Sequence, residues 1–261
     1  MIRVVKVGGR AQQAAELVPT LAAAWHAAPG ALVVVHGGGD EVTAVQRAMG
    51  RDPQFVGGRR VTTDDDIAIL RMTLSGVINK RLVAALVSEG VPAVGISGED
   101  AALLSAEPID AATMGRTGDP GAANVQLVRH LLKGGFLPVI SPLARDARAT
   151  SGEALNVNGD DAAAALAAAL HATELVLVAD VPGVLENGSV ISVLGADRLP
   201  ALVEAGTVTA GMIAKLEASS RALGAGVACV RIGDLEAMAD SARGTRIVAA
   251  VAAATLTPVL A

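Results

Sequence analysis

Tyrosine is missing from this 261-residue chain, and aromatic rings of any kind are scarce: two phenylalanines and one tryptophan. Binding of single-stranded nucleic acid by base stacking needs aromatic platforms, so that class is excluded. The net charge of −5 likewise lacks the basic footprint that a nucleic-acid partner requires. With one cysteine, Cys229, there is no internal disulfide and no multi-cysteine zinc site. Its setting in Val227-Ala228-Cys229-Val230 reads as a buried, inert thiol. The longest stretch free of acidic, basic and histidine side chains, Ile247 to Ala261, falls short of the ~18 to 20 residues needed to cross a bilayer. The chain enters Arg3-Val4-Val5-Lys6 at once, without room for a signal peptide. These absences predict a soluble cytoplasmic protein with no membrane partner. Internal repeats and low-complexity linkers are also missing.

What the chain has is aliphatic bulk: 52% of its residues are hydrophobic, enough for a large core rather than disorder. The length suits one large α/β unit or two lobes sharing a continuous sheet. Strands are predicted at Arg3–Val7, Leu32–His36, Ala93–Ser97, Leu137–Ile140, Leu175–Val178 and Ala228–Ile232. Most are apolar without alternation, as expected of parallel strands covered on both faces. Helices are predicted at Gln12–Ala28, Asp40–Met49, Asp64–Glu89, Asn124–Lys133, Asp160–Leu170 and Gly211–Leu223. This alternation predicts an α/β sandwich with mainly right-handed crossovers. Ala102–Ala123, punctuated by Pro108, Gly115, Gly118, Pro120 and Gly121, breaks the rhythm and reads as a small hairpin or lid-like excursion. A soft boundary near Leu170–Thr173 separates residues 1–172 from 173–261.

Several motifs carry chemistry. Lys6 lies in an apolar strand and precedes Val7-Gly8-Gly9. An ammonium there is costly to bury unless it meets an anion, and glycines let backbone N–H groups approach phosphate oxygens. The alternative is an edge-strand lysine before an ordinary turn. His36-Gly37-Gly38-Gly39-Asp40 places a second glycine turn between a strand and a helix N-terminus, a phosphate-compatible arrangement or simply a tight turn. It matches neither the dinucleotide nor the Walker A spacing, and His36 reads as structural. Gly57-Gly58-Arg59-Arg60 suits bidentate capture of a carboxylate, or is a solvated charge pair. Asp64-Asp65-Asp66 reads as helix capping. In Asn156-Val157-Asn158-Gly159-Asp160 the asparagines share one face of an extended segment, and Asp160 either caps the next helix or reaches toward both lysines. The turn Asp180-Val181-Pro182-Gly183-Val184-Leu185 follows a strand, where α/β sheets place ligands; Asp180 meets ribose or phosphate there, or is a plain turn residue. Lys215 in Gly211-Met212-Ile213-Ala214-Lys215 sits early in a helix, unfavourably for the dipole unless a ligand phosphate offsets it.

With these motifs in order, together with Asn79-Lys80, the chain from Ile2 to about Val248 resembles the amino acid kinase family. The likeness is to the branch that acts on N-acetyl-L-glutamate in arginine biosynthesis, mainly through Gly58–Thr62 and the asparagine segment. The resemblance implies a three-layer αβα sandwich with a mainly parallel sheet, carbamate kinase-like. It implies an acyl-amino-acid-binding and dimerisation lobe at 1–172 and an ATP-binding lobe at 173–261. By the same resemblance Lys6 and Lys215 stabilise the phosphoryl group in flight and Asp160 orients both. Gly8, Gly9, Gly38 and Gly39 donate N–H groups to phosphate, and Gly37, Gly38, Arg60 and Asn156 hold the acyl-amino acid. Asp180, Val181, Pro182, Gly183, Val184 and Leu185, with Thr207, Val208 and Thr209, surround ATP. Mg²⁺ is held by phosphates and water, with no protein metal ligand. The resemblance also implies a homodimer through the Asp64–Glu89 helix, whose Ile67, Leu70, Leu74, Ile78 and Leu82 form an apolar stripe. A sequence starting directly at the first strand further predicts a dimer insensitive to arginine. The chain departs from the usual family pattern with Arg59 in place of leucine, Gly159 in place of alanine and Ala214 in place of proline. The apolar tail Ala249–Ala261 runs past the usual family end.

Overall fold

The computed structural model describes residues 1–204, 208 and 210–249. In chain order its strands are β1 Arg3–Val7, β2 Leu32–His36, β3 Phe55–Val56, β4 Arg59–Arg60, β5 Ala93–Ser97, β6 Leu104–Pro108, β7 Thr117–Ala123 and β8 Leu137–Ser141. There follow β9 Leu143–Asp146, β10 Ala154–Val157, β11 Glu174–Val178, β12 Leu185–Glu186, β13 Ser189–Val190, β14 Val193–Gly195, β15 Val230–Gly233 and β16 Thr245–Val248. The helices are α1 Leu17–Ala27, α2 Gly39–Ala48, α3 Asp64–Leu70, α4 Asn79–Ser88, α5 Ala111–Met114, α6 Gln126–Lys133, α7 Gly159–Leu170, α8 Leu199–Glu204, α9 Ala210–Gly224 and α10 Leu235–Ala239.

Eight strands form the main sheet in the order β14-β16-β15-β11-β1-β2-β8-β5. Only the β15–β16 pair is antiparallel. The apolar runs of β2 and β8 are buried along their whole length, because helices cover both faces. On one side α1 packs with α4 and α10; on the other α7 lies against β1, β2 and β11 and beside α9. Alanine makes α7 a good helix former and lets it approach closely: Ala162, Ala163 and Ala167 are completely buried. The sheet passes without a break through the expected boundary, since β1 pairs with β11.

The predicted excursion at Ala102–Ala123 is a hairpin, β6–β7, but it is no free lid. It closes with β9 and β10 into a small four-stranded barrel beside the sheet. The helix expected from Gln12 begins only at Leu17, because Gly9–Gln13 wind into a tight 3₁₀ turn. The Asp64–Glu89 prediction is one helical path widened in its middle by π-helical turns at Arg71–Ile78. Thr63 caps it reciprocally with Asp66. Its Ile67–Leu82 stripe is buried in this chain's own core, where Ile67, Leu70, Leu74 and Ile78 meet Val42, Leu143 and Ala154. The stripe therefore offers no surface to a second copy; the large apolar residues that this helical path exposes are Met72, Val77 and Val87.

Candidate functional site

The C-terminal ends of β1 and β2 open onto a crevice, and β1 delivers Lys6 to it. The Lys6 ammonium lies 2.9 Å from Oδ1 of Asp160, in the first turn of α7. From α9, the Lys215 ammonium reaches the same carboxylate at 3.1 and 3.2 Å. All three groups are nearly buried. Asp160 is free to do this because Asn158, not Asp160, caps α7: the Asp160 N–H donates to Asn158 Oδ1 at 2.8 Å. Burial alone would raise the Asp160 carboxyl, but Lys6 and Lys215 outweigh it and hold it below the usual carboxylate range. Burial, and then repulsion from Lys6, draws the Lys215 ammonium down to about 8 against the pull of Asp160. With both lysines protonated, two cations and one anion leave a net positive charge beside the cleft that Lys6 lines. Such a centre attracts an anion.

A side-chain carbon at Gly8 would displace Lys6 Nζ from its present place, so glycine there leaves the ammonium beside the turn. At Gly159 a Cβ would stand 3.0 Å from Lys6 Cε, so glycine there leaves the lysine slack. The second glycine turn is tied to the first by the Gly37 N–H, which donates to Val7 O at 2.8 Å. Fully buried His36 supports it. Asn79 Nδ2 donates to His36 Nε2 at 3.1 Å, and Nδ1–H donates to Gly37 O at 2.8 Å, a network that assigns one tautomer. Burial lowers the imidazole to about 4, so it is neutral near pH 7. Asn79 was part of a recognised motif, but its partnership with His36 had no signal in the sequence.

The β3–β4 hairpin forms the outer wall. Gly57 and Gly58 have φ of +54° and +76°, as a two-residue turn of type I′ demands. Arg60 is buried and donates to Gly39 O at 2.9 Å, to Thr43 Oγ1 at 2.8 Å and to Gln46 Oε1. Phe55 stacks on it, its ring centroid 4.7 Å away. Arg60 thus pins the hairpin to the first turns of α2. Asn156 on β10 donates to Thr62 Oγ1 at 2.9 Å. Together these elements enclose a cleft of about 190 Å³. Lys6, Gly8, Gly9, Gly37, Gly38, Gly39, Arg60 and Asn156 all line it, and Val42, Leu70 and Leu74 supply an apolar wall. Phe55, Thr117 and Pro142 also line it without having been singled out; each comes from a segment whose place depends on the hairpin or barrel.

The Asp180–Leu185 turn is distributed differently. Asp180 accepts the Ala11 N–H at 3.2 Å and sits 3.4 Å from Arg10 Nε, so it contacts the Gly9–Gln13 3₁₀ turn. Val184 is in the core and donates its N–H to Thr245 Oγ1 at 2.8 Å. None of the residues from Asp180 to Leu185 lines the 190 Å³ cleft. Half-buried Val208 packs against the main core, while Thr207, Thr209 and the tail from residue 250 lie outside the described residues.

A profile of the amino acid kinase family matches residues 1–234. Acetylglutamate kinase from Chloroflexus aurantiacus is 41% identical over 247 residues, covering 94% of this chain and 96% of that one. Acetylglutamate kinase from Geobacillus stearothermophilus is 44% identical over 192 residues, 74% of this chain and 73% of that one. Among solved structures, smu.665 from Streptococcus mutans UA159 superposes with a TM-score of 0.83 at 30% identity, over 95% of this chain and 98% of that one. Carbamate kinase from Giardia lamblia bound to AMP-PNP gives 0.71 at 18% identity, over 95% and 98% of the two chains, a likeness of fold alone.

Proposed function

This chain belongs to the amino acid kinase family, and from that membership we propose that it transfers a phosphoryl group from ATP to the side-chain carboxylate of N-acetyl-L-glutamate. The products are N-acetyl-L-glutamyl 5-phosphate and ADP, a step of arginine biosynthesis. The single observation that carries this reading is the cluster in which Lys6 and Lys215 share the Asp160 carboxylate beside two glycine turns.

The acceptor carboxylate is already a nucleophile, so no general base is needed. The obstacle is repulsion between two anions and the charge that develops on the moving phosphoryl group. Lys6 and Lys215 flank that group in this reading, and Asp160 keeps both ammoniums aimed without neutralising their summed charge. Backbone N–H groups of Gly8, Gly9, Gly38 and Gly39 are the phosphate donors, helped by the N-terminus of α2 at Gly39. Arg60 and Asn156 hold the α-carboxylate and amide of the acyl-amino acid near Gly37 and Gly38. The incoming carboxylate competes with Thr43 and Gly39 for the Arg60 guanidinium. The apolar wall of Val42, Leu70 and Leu74 suits the methylene chain. Among the described residues no cluster of three or more acidic, histidine or cysteine side chains could cage a metal. Mg²⁺ bound to the nucleotide phosphates and water would supply further charge neutralisation.

In the same reading residues 1–172 bind the acyl-amino acid and 173–261 bind ATP. The Asp180–Leu185 turn with Thr207, Val208 and Thr209 borders the adenosine. The enzyme is a cytoplasmic homodimer, and no helix among the described residues is long and apolar enough to cross a membrane. Trapping the acyl phosphate with hydroxylamine tests the reaction, with N-acetyl-L-glutamate, acetylaminoadipate and succinylglutamate in parallel. Hydroxamate formation should be fastest with N-acetyl-L-glutamate; preference for either of the others would overturn the substrate, and none with any of them the activity.

A further inference from the structure

Arg59 does something that Arg60 beside it does not. Arg60 ties the hairpin to α2, whereas Arg59 crosses the cleft mouth to the elements that carry the charged cluster. Its NH2 group lies 3.1 Å from Asp161 Oδ2 and 3.3 Å from Glu217 Oε2. Asp161 is the neighbour of Asp160 on α7, and its side chain is almost wholly buried. Glu217 lies two residues beyond Lys215 on α9. One guanidinium therefore connects the outer wall of the cleft to the helix of Asp160 and the helix of Lys215. The same side chain lines the cleft, and its Nε–H is buried without an acceptor among the described residues. A buried N–H in that condition is unfavourable, and a ligand oxygen reaching it would relieve the cost.

We propose that Arg59 is a latch coupling occupancy of the acyl-amino-acid end of the cleft to the placement of Lys215. It is a positioning residue, acting through Asp161 and Glu217, and the proposal rests on the kinase reading above. A ligand that draws the hairpin inward carries Arg59 with it, and α9 follows through Glu217. Nucleotide binding against Lys215 is then favoured when the acyl-amino acid is bound, and by linkage the reverse holds.

Calorimetry with a non-hydrolysable ATP analogue, with and without N-acetyl-L-glutamate, measures the coupling directly in the full chain. Wild type should bind the analogue more tightly when the acyl-amino acid is present. Arg59→Met should lose ~5- to 10-fold of that enhancement, with kcat falling in parallel. Glu217→Gln, a substitution at a half-exposed position, should lose part of it, and the double variant should be no worse than Arg59→Met alone. Arg59→Lys should restore part of both. A wild type without coupling would overturn the latch. So would an Arg59→Met and a Glu217→Gln that keep wild-type coupling and kcat while changing only the melting temperature. A wild type that neither binds nor phosphorylates N-acetyl-L-glutamate would instead remove the kinase reading, and the latch with it.

Discussion

At the scale of single residues the chemistry turns on the charge held around Asp160. Replacing Lys215 or Lys6 by alanine should cut turnover by ~10²- to 10³-fold, the usual cost of losing one donor to transition-state charge. Steady-state kinetics on folded variants checks this, and a Lys215→Ala enzyme of normal rate would refute the assignment. Asp160→Asn should lose turnover while analogue affinity stays near that of wild type. The pH profile has a definite sign. Because Lys215 is drawn down to about 8 in the free protein, its cation is present below that pH and lost above it. A plot of kcat/KM against pH should therefore bend downward near pH 8 and approach a tenfold fall per unit. Bound phosphate favours the ammonium, so the matching limb in kcat should lie at higher pH. His36 adds no limb between pH 6 and 8, being already neutral there.

At the scale of elements, the helical path from Asp64 to Ser88 does two jobs. Its C-terminal part, anchored by buried Leu82 and Leu86, contributes stability alone, while its widened middle also builds the cleft. Leu86 is completely buried away from the site, so Leu86→Ala should cost about 2–5 kcal/mol in urea unfolding and leave KM unchanged. Leu74 packs against Gly38 and lines the cleft, so Leu74→Ala should raise KM for the acyl-amino acid as well as lowering stability. Legibility in the sequence followed the same division. The strands β1, β2, β8 and β11 could be read because parallel strands buried on both faces are apolar runs without alternation, charge entering only at their ends and at Lys6. The barrel could not: β7 runs through Thr117-Gly118-Asp119-Pro120-Gly121, whose composition says turn. Its strand pairing is decided by β6 and β10, contacts distant in the chain.

At the scale of the whole molecule, the assembly is where residue pattern and structure part company. The apolar stripe that suggested a dimer is consumed by this chain's own core. A dimer through the same helix must use its outer face, where Met72 and Val77 are more than half exposed. Light scattering should give a dimer for wild type and a monomer for Val77→Glu, whose charge could not be buried in such an interface. A monomeric wild type would end the dimer proposal. The two proposed lobes share one hydrogen-bonded sheet, so relative motion must pass through the loops and the hairpin rather than a flexible linker.

The residue order by itself determined the alternating α/β plan, the glycine turns and the candidacy of Lys6, Lys215 and Asp160, because apolar runs, glycine and isolated charge are local signals. Tertiary structure alone decided that both ammoniums meet one carboxylate and that Asn158 does the capping. It alone decided that Arg59 reaches Glu217, 158 positions away. A side chain's partner across the fold depends on how helices dock on the sheet, and no spacing along the chain encodes that distance.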